Sequence, residues 1–233
     1  MLDQAFEALK TYDWGTDRNV VQPIEQALVA TRGDAAARKD LETRLAGVLK
    51  SGAPRAAKDY ACRALRVAGT AASVPTLAEL LPDADLSHMA RYALERIPGP
   101  EAGQALREAL PKATAKLKCG IASSLGTRGE ATSVPVLQQL LGDPDPAAAR
   151  AAAHALGAIG SAEAHRALVA GRQSKATETV IADALLARAA QQLAAGDKQA
   201  ATATYRRILA RNPSPPVRQA ANAGLAACGA AAQ

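Results

Sequence analysis

Residues 143–160, DPDPAAARAAAHALGAIG, set the architecture of the chain, because close variants of this stretch return about every thirty residues. Its two aspartates, each followed by proline, predict a tight turn that caps a helix. Apolar side chains then recur at helical spacing over 147–159, and Gly157 and Gly160 are expected to close the helix. A helix with so many alanines on its inner face is stable only where another helix packs closely against it. The stretch therefore predicts packed helix pairs.

A repeat of helix pairs runs through most of the chain. One leucine marks each second helix: Leu65, Leu94, Leu125, Leu156 and Leu185, spaced by 29 or 31 residues. The first helices repeat as SVPTLAELL at 73–81, AGQALREAL at 102–110 and SVPVLQQLL at 133–141. Alternating strand patterns are nearly absent, so the sequence predicts an all-α fold.

The composition suits closely spaced helices. Aromatic residues make up only 3% of the 233 residues, against 48% hydrophobic residues, so Ala, Leu, Val and Ile must fill the interior. Half of the aromatics lie in two amphipathic segments, 2–12 and 20–31, and the turn between them. We expect this pair to form a terminal cap that closes the end of the array against water. The three cysteines fall inside helical stripes without metal-ligand spacing, which predicts buried free thiols.

The unit at 133–160 has an Asp-containing turn, Arg150 opening the second helix, and a closing leucine and glycine. It resembles a HEAT repeat of the short bacterial kind also called PBS-lyase-like. His88 and Cys119 stand where Arg150 aligns in the two preceding units, so a full Asp/Arg ladder between repeats is not expected. The resemblance implies a right-handed α-solenoid superhelix of antiparallel helix pairs, whose second helices line a concave face.

The C-terminal part departs from this register. Residues 187–213 resemble a tetratricopeptide unit, through Gly196, Asp197, Ala201, Tyr205, Ile208 and Pro213. The same span also fits HEAT helices with an extended turn. We therefore expect an N-terminal helical cap at 1–39, HEAT-like repeats at 40–180, longer HEAT- or tetratricopeptide-like repeats at 181–229, and a frayed tail at 230–233.

Basic residues concentrate on the predicted second helices, in a chain of net charge +6 and pI near 9.4. Because the resemblance places these helices on the concave face, we expect a patchily basic partner-binding surface there. Its candidate residues are Arg55, Lys58, Arg63, Arg66, Arg91, Lys112, Lys116 and Lys118, with Tyr60 and Tyr92 as further possible contacts. The alternative is that these side chains form solvated faces whose stems cover the alanine-rich surface.

No catalytic residue, metal site or cofactor is expected. The acidic pairs Asp83/Asp85 and Asp143/Asp145 precede helices, where carboxylates accept backbone N–H bonds, so structural capping is favoured over acid–base catalysis. His154 and His165 lie on consecutive predicted helices and could face each other, but two histidines without a cysteine or carboxylate cluster make a poor metal site. The Gly-rich 126–133 segment has no preceding strand and no Gly-Lys-Ser/Thr, so it is a turn between repeats.

Three functions from different classes remain open. The first is a non-enzymatic scaffold or adaptor that binds another protein, with an acidic partner favoured by the charge. The second is binding of nucleic acid through its phosphate backbone; a HEAT-like DNA glycosylase is disfavoured because Trp14, the lone tryptophan, lies in the cap with no aromatic-plus-Asp cluster along the array. The third, suggested only by the repeat's family name, is a lyase or chaperone for a tetrapyrrole protein. We expect a soluble protein of the cytoplasm, or of the periplasm or exterior if a leader was removed, without membrane contact.

Overall fold

The computed structural model describes residues 1–31, 33–170 and 177–230, and every regular element in those ranges is helical. Two compact units divide the chain, unit 1 at Met1–Arg128 and unit 2 at Gly129–Gln233. None of the helices in the described ranges combines the length and apolarity needed to cross a lipid bilayer. The predicted all-α class is confirmed.

Unit 1 is a stack of helix pairs. Its helices are α1 Leu2–Leu9, α2 Gln22–Ala30, α3 Ala35–Lys50, α4 Arg55–Ala68, α5 Val74–Ala78, α6 Ser87–Leu94, α7 Pro100–Ala109 and α8 Ala115–Arg128. α3 pairs with α4, α5 with α6, and α7 with α8. The second helices α4, α6 and α8 pack in series, and the first helices α3, α5 and α7 do the same. This two-layer arrangement of short-turn helix pairs is α-solenoid packing.

The first two helices pack together at the N-terminal end of this stack, and α2 also contacts α4. Phe6 and Leu9 of α1 and Ile24 of α2 are buried in that contact region. Trp14, in the connection between the two helices, is 69% exposed. The two amphipathic helices predicted from the sequence are therefore present and packed together, while Trp14 remains in solvent; their role as a terminal cap stays a prediction.

Unit 2 continues the pairing with α9 Val134–Leu140, α10 Pro146–Ile159, α11 Ala162–Ala170, α12 Glu178–Ala194, α13 Lys198–Leu209 and α14 Pro215–Ala227. Here α10, α12 and α14 pack in series, and α9 packs on α11. The helix α13 lies between α12 and α14 in sequence and contacts both. The same two-layer packing thus recurs inside the second unit.

The leucines that mark the repeat all occupy the core. Leu65, Leu94, Leu125 and Leu156 are fully buried and Leu185 is 1% exposed. Each sits near the middle or end of a second helix, where it contacts the neighbouring layers. The spacing seen in the sequence is therefore the spacing of one core position from repeat to repeat.

The helix α10 begins at the predicted capping turn and ends at Gly160, the second of the two glycines predicted to close it. Asp145 Oδ1 accepts the backbone N–H of Ala147 at 2.8 Å, and Gly160 ends the helix in the left-handed conformation at φ 63°. The expectation that Gly157 helps to close the helix is wrong. Gly157 lies inside α10, where a Cβ atom would come within 3.2 Å of the Cβ of Ala184, so this glycine permits close packing against α12.

A repeated Ser-Val-Pro motif starts two of the first helices in the same way. Residues Ala71–Ser73 and Ala131–Ser133 each form a 3-10 turn that leads directly into α5 or α9. Ser73 and Ser133 are fully buried, and the proline that follows falls in the first turn of the helix, where its missing N–H costs no hydrogen bond. One sequence motif thus yields one local structure in both units.

A buried carboxylate fastens α3 to the start of α5. Glu42 is 5% exposed and accepts the backbone N–H of Thr70 at 2.7 Å and the hydroxyl groups of Thr70 and Ser73. Several hydrogen-bond donors around one carboxylate offset the cost of burying it. This contact joins the first helices of two successive pairs.

Arginine side chains bind the C-terminal carbonyl groups of helices in neighbouring positions. Arg38 of α3 donates to the carbonyl groups of Ala68 and Gly69 at 2.7 and 3.0 Å. In unit 2, Arg211 donates to the Val169 carbonyl at 2.6 Å. The guanidinium supplies the donors and the positive charge that a helix C-terminus favours. These arginines therefore stabilise the contacts between repeats.

Two sequence expectations need adjustment against these helices. Only Cys62 is buried, whereas Cys119 and Cys228 are partly exposed; Cys228 lies just beyond the last residue of α14. The predicted domain boundaries after residues 39 and 180 fall inside α3 and α12. The predicted tail lies outside the described residues except for residue 230. The division into those segments stays a prediction.

Candidate partner-binding surface

The basic residues predicted to bind a partner all lie in unit 1, on its second helices or in the turn that precedes one. They are Arg55, Lys58, Arg63 and Arg66 on α4, Arg91 on α6, Lys112 at the end of a 3-10 turn, and Lys116 and Lys118 on α8. Since α4 packs on α6 and α6 on α8, one layer of unit 1 carries the whole set.

Three of these arginines already have interaction partners within the protein. Arg55 pairs with Asp85 in the turn before α6, at 3.2 Å. The guanidinium of Arg66 lies 4.4 Å from the centre of the Tyr92 ring, which is a cation–π contact. Both interactions join α4 to the next pair, so these two side chains hold successive second helices together as well as carrying charge.

Arg91 is the most deeply placed of the set. Its guanidinium donates to the Gly120 carbonyl at 2.9 Å and to the Ser124 hydroxyl at 3.3 Å. A Cβ atom at Gly120 would lie 2.5 Å from that guanidinium, so the glycine makes room for it. Burial lowers the pKa of Arg91, and Glu95 opposes that shift. The contacts of Arg91 connect α6 to α8.

A smaller group of basic side chains is accessible. Arg63, Lys112 and Lys116 are exposed and Lys58 is partly exposed. Among the residues that the structure describes, none of these four forms an ion pair. We call Lys58, Arg63, Lys112 and Lys116 the open basic set. Their charges are therefore available to an external anion.

One acidic side chain lies beneath the basic residues of α4. Asp59 is 5% exposed, and its Oδ1 atom has no hydrogen-bond partner in the described part of the chain. Burial raises the pKa of the Asp59 carboxyl, while Arg55, Arg63 and His88 act in the opposite direction. The acid that the sequence sets against the basic residues of α4 is thus buried, so it does not compete at the surface for an external ligand.

A groove rich in aromatic residues lies between the N-terminal helices and α4, and the sequence analysis did not find it. We call it the aromatic groove; it has a volume of about 540 Å³ and is lined by Tyr12, Trp14, Gly15, Thr16, Arg18, Glu25, Leu28, Tyr60, Arg63 and Ala64. The Tyr12 and Tyr60 rings are 6.2 Å apart and tilted by 55°. The concentration of aromatics before residue 15 was its only signal in the sequence, since the partner ring comes from α4.

A second cavity, in unit 2, brings the two histidines of α10 and α11 together. It has a volume of about 330 Å³, and His154 and His165 both line it, together with Asp183 and Arg188 of α12. Burial lowers the pKa of His165, and Arg188, Arg207 and Arg211 lower it further. In the described residues no three potential metal-ligating side chains come together.

The acidic pairs act as turn and cap acceptors. Asp83 Oδ1 accepts the backbone N–H groups of Asp85 and Leu86 at 2.8 and 3.0 Å. Asp143 Oδ1 accepts the N–H of Asp145 at 2.9 Å. Such hydrogen bonds fix the turn ahead of the second helix. Asp145 also caps α10, which confirms the capping role predicted for the second pair, whereas α6 begins without a side-chain cap hydrogen bond, so Asp83 acts as a turn acceptor and not as a helix cap.

Part of this array matches a known protein family. Residues 110–187 match the sequence model of the family described as HEAT repeats. Comparison with curated proteins finds no match.

The matched residues comprise α8 to α11 and the first part of α12. They include Lys112 and Lys116 of the open basic set, and the histidine cavity lies within or next to them. Lys58 and Arg63 lie before the matched residues, on a helix that packs in the same layer of unit 1.

Several solved structures are distantly similar to the chain. An engineered protein is 20% identical, with 89% of this chain and 96% of that one covered and a TM-score of 0.41. Human deoxyhypusine hydroxylase in complex with glycerol is 17% identical, with 98% and 96% covered and a TM-score of 0.40. A designed armadillo repeat protein in complex with the peptide (KR)4 is 16% identical, with 97% and 99% covered and a TM-score of 0.37. At these values the three structures carry no argument about function.

Proposed function

We propose that this protein is a non-enzymatic scaffold that binds another protein, with an acidic segment of the partner lying on the open basic set of unit 1. The observation that carries the proposal is that Lys58, Arg63, Lys112 and Lys116 lie on one layer of packed second helices without internal ion pairs. A HEAT-repeat array commonly serves protein–protein interaction, because stacked helix pairs supply a long, rigid surface.

On this layer, some basic side chains hold the helices together and others remain accessible to a partner. Arg55, Arg66 and Arg91 fasten α4, α6 and α8 to one another. They would keep the accessible lysines at fixed spacing, so a partner need not pay to order the surface. Asp59, the acidic residue of α4, is buried, so its carboxylate is not exposed on that face. Charge complementarity would then steer an acidic partner and set its register.

The test is a comparison of two double variants as bait in a pull-down from native lysate. Lys112→Glu/Lys116→Glu reverses two charges of the open basic set. Lys39→Glu/Lys50→Glu makes the same change of net charge on exposed residues of the first helix α3, and so controls for charge alone. We expect the first variant to reduce capture of a specific protein roughly tenfold and the control to leave it unchanged.

Treatment with nuclease and salt distinguishes protein binding from nucleic-acid binding. Capture of a protein that persists after nuclease and in moderate salt, and that depends on Lys112 and Lys116, supports the scaffold. Capture that disappears with nuclease, or falls steeply with salt for both variants alike, overturns it and assigns the surface to a nucleic-acid backbone. Equal loss in the two double variants under nuclease-treated conditions would also overturn it, because only net charge would then matter.

A further inference from the structure

The lone tryptophan of the chain stands in solvent at the edge of the aromatic groove. Trp14 is 69% exposed, although tryptophan is usually well buried and dominates the energetics of interfaces when it is covered. Two hydrogen bonds within the turn order it. Asp13 Oδ1 accepts the backbone N–H of Trp14 at 2.8 Å, and Thr16 Oγ1 accepts the backbone N–H of Asp13 at 3.1 Å. The indole is therefore presented by a braced turn.

The floor of the groove is also held in place. Tyr60 is 8% exposed, and its hydroxyl donates to the Val21 carbonyl at 3.3 Å. Its ring meets that of Tyr12 at a tilt, as aromatic pairs prefer. A ligand would thus find two fixed rings with a large exposed indole beside them, an arrangement that loses little side-chain entropy on binding.

The charged residues of the groove favour an anionic ligand. Arg18 lies 3.8 Å from Glu25 and both are exposed, so this loose pair is weak. Arg63 lines the groove, is exposed, and has no ion pair among the described residues. Two guanidinium groups against one carboxylate disfavour a cation held in an aromatic cage and favour a carboxylate next to an apolar group.

We propose that the aromatic groove anchors an extended, proline-containing acidic segment of the partner protein. This inference rests on the proposed function and names the chemistry of the partner. Proline rings pack on flat aromatic faces, and a polyproline II segment needs no ladder of backbone hydrogen bonds from its receptor. A groove of rings and small apolar side chains suits such a segment, and Arg18 and Arg63 would pair with acidic residues that flank the prolines.

Arg63 connects this groove to the open basic set. It lines the aromatic groove and also belongs to the exposed basic residues of α4. An acidic segment bound along the second helices of unit 1 could therefore enter the groove without crossing an acidic surface. The rings would provide a local anchor, and the lysines would extend the contact.

Fluorescence of Trp14 reports on this groove directly, because the chain has no other tryptophan. The probe is a blocked peptide of three prolines flanked on each side by two glutamates. Matched peptides replace the prolines with Gly-Ser-Gly, or the glutamates with lysines. We expect a saturable blue shift of the emission with the first peptide below about 1 mM, and at least tenfold weaker binding of both others.

Variants identify the residues responsible. Tyr12→Ala and Arg63→Glu should each weaken the acidic proline peptide about tenfold, while Lys39→Glu, which changes charge outside the groove, should not. Equal thermal unfolding of the variants and the parent confirms that the fold is retained, and Arg63→Ala provides a milder change if the reversal unfolds the protein. No saturable response, or equal responses to all three peptides, overturns the proposal. A response to maltohexaose in place of the acidic peptide overturns it in favour of a glycan.

The two proposals fail in different ways. If Trp14→Ala and Tyr12→Ala retain the captured partner that Lys112→Glu/Lys116→Glu loses, the scaffold stands and the groove proposal is wrong. If the peptide binds the groove but the reversed lysines leave the captured partner unchanged, the groove stands and the open basic set is not the binding surface.

Discussion

The ring of Tyr205 in α13 lies directly over Gly224 in α14, so that a Cβ atom at Gly224 would come 2.1 Å from the Cζ atom of the ring. Tyr205 is 5% exposed and belongs to the span that resembles a tetratricopeptide unit. The ring therefore occupies the space that a side chain at position 224 would need. The last helix pair of unit 2 is built on this contact.

Gly224→Ala is expected to lower the free energy of unfolding by about 1–3 kcal/mol, because the buried ring has no room to move away from the new methyl group. Tyr205→Leu should lower stability alone and should also reduce the cost of Gly224→Ala in the double variant. Urea unfolding of the four proteins in a double-mutant cycle measures the coupling. An unchanged midpoint for Gly224→Ala would show that the ring does not press on this position.

The repeated helix pairs could be predicted from the sequence because they depend on local patterns. Helical periodicity, the capping aspartates and the spacing of Leu65, Leu94 and Leu125 needed only neighbouring residues, and the structure buries all three leucines. Gly157 was misread because a glycine near the end of a pattern is typical of a helix stop, and only the approach of Ala184 from another helix reveals its packing role.

The candidate site was less predictable because it depends on contacts distant in sequence. The charges of Arg91 and Lys116 look equivalent in the sequence, yet Arg91 turns onto the Gly120 carbonyl whereas Lys116 is exposed. Which way each side chain turns follows from the packing of α6 on α8. Likewise Tyr12, in the connection between α1 and α2, meets Tyr60 of α4 across 48 residues of sequence, which no local pattern specifies.

Arg128→Ala is expected to destabilise unit 1 by about 2 kcal/mol. Its guanidinium donates to the carbonyl groups of Leu94, Ile97 and Gly99 at 2.6, 2.9 and 2.8 Å, and loss of a charged donor leaves those acceptors unsatisfied. Arg128→Lys should recover only part of the loss, since one ammonium cannot reach three acceptors in a fork. The exposed Arg96→Ala is the control and should change stability by less than about 0.5 kcal/mol. Urea denaturation measures the stability of the three variants, and equal losses of stability for the alanine substitutions at positions 96 and 128 would contradict the prediction.

The thiols should differ sharply in reactivity. Burial raises the pKa of Cys62 to about 12, and the thiol is fully buried, whereas Cys119 and Cys228 are partly exposed. Because the thiolate is the reactive form, a disulfide reagent such as DTNB should label two thiols quickly in the native protein. Cys62 should react only as the protein opens. Cys62→Ala should leave the fast phase intact, and rapid labelling of three thiols in the folded protein would contradict this expectation.

The raised pKa of Cys62 also predicts how the stability of the protein decreases at high pH. A thiol whose pKa is raised on folding contributes stability that is complete below its unfolded pKa and is lost as the pH rises toward the folded value. For Cys62 this loss should begin near about pH 9 and extend to about 12. Cys62→Ala should therefore unfold with a flatter dependence on pH in that window, as measured by urea denaturation. Parallel pH curves for the two proteins would show that this thiol is not protected by the fold.

At acid pH, His165 is the residue whose titration is expected to change the stability of the protein. Its pKa is lowered by burial and by Arg188, Arg207 and Arg211, so the fold prefers the neutral imidazole. Such a group contributes stability that is present above its unfolded pKa near 6.5 and is lost as the pH falls through the folded value. His165→Gln should consequently lose less stability than the parent between about pH 7.5 and about pH 5. The carboxylates are the same in both proteins, so the difference between their pH dependences reports on the imidazole. If His165→Gln loses as much stability as the parent over this range, burial and the three arginines do not lower the pKa of His165 in the folded protein.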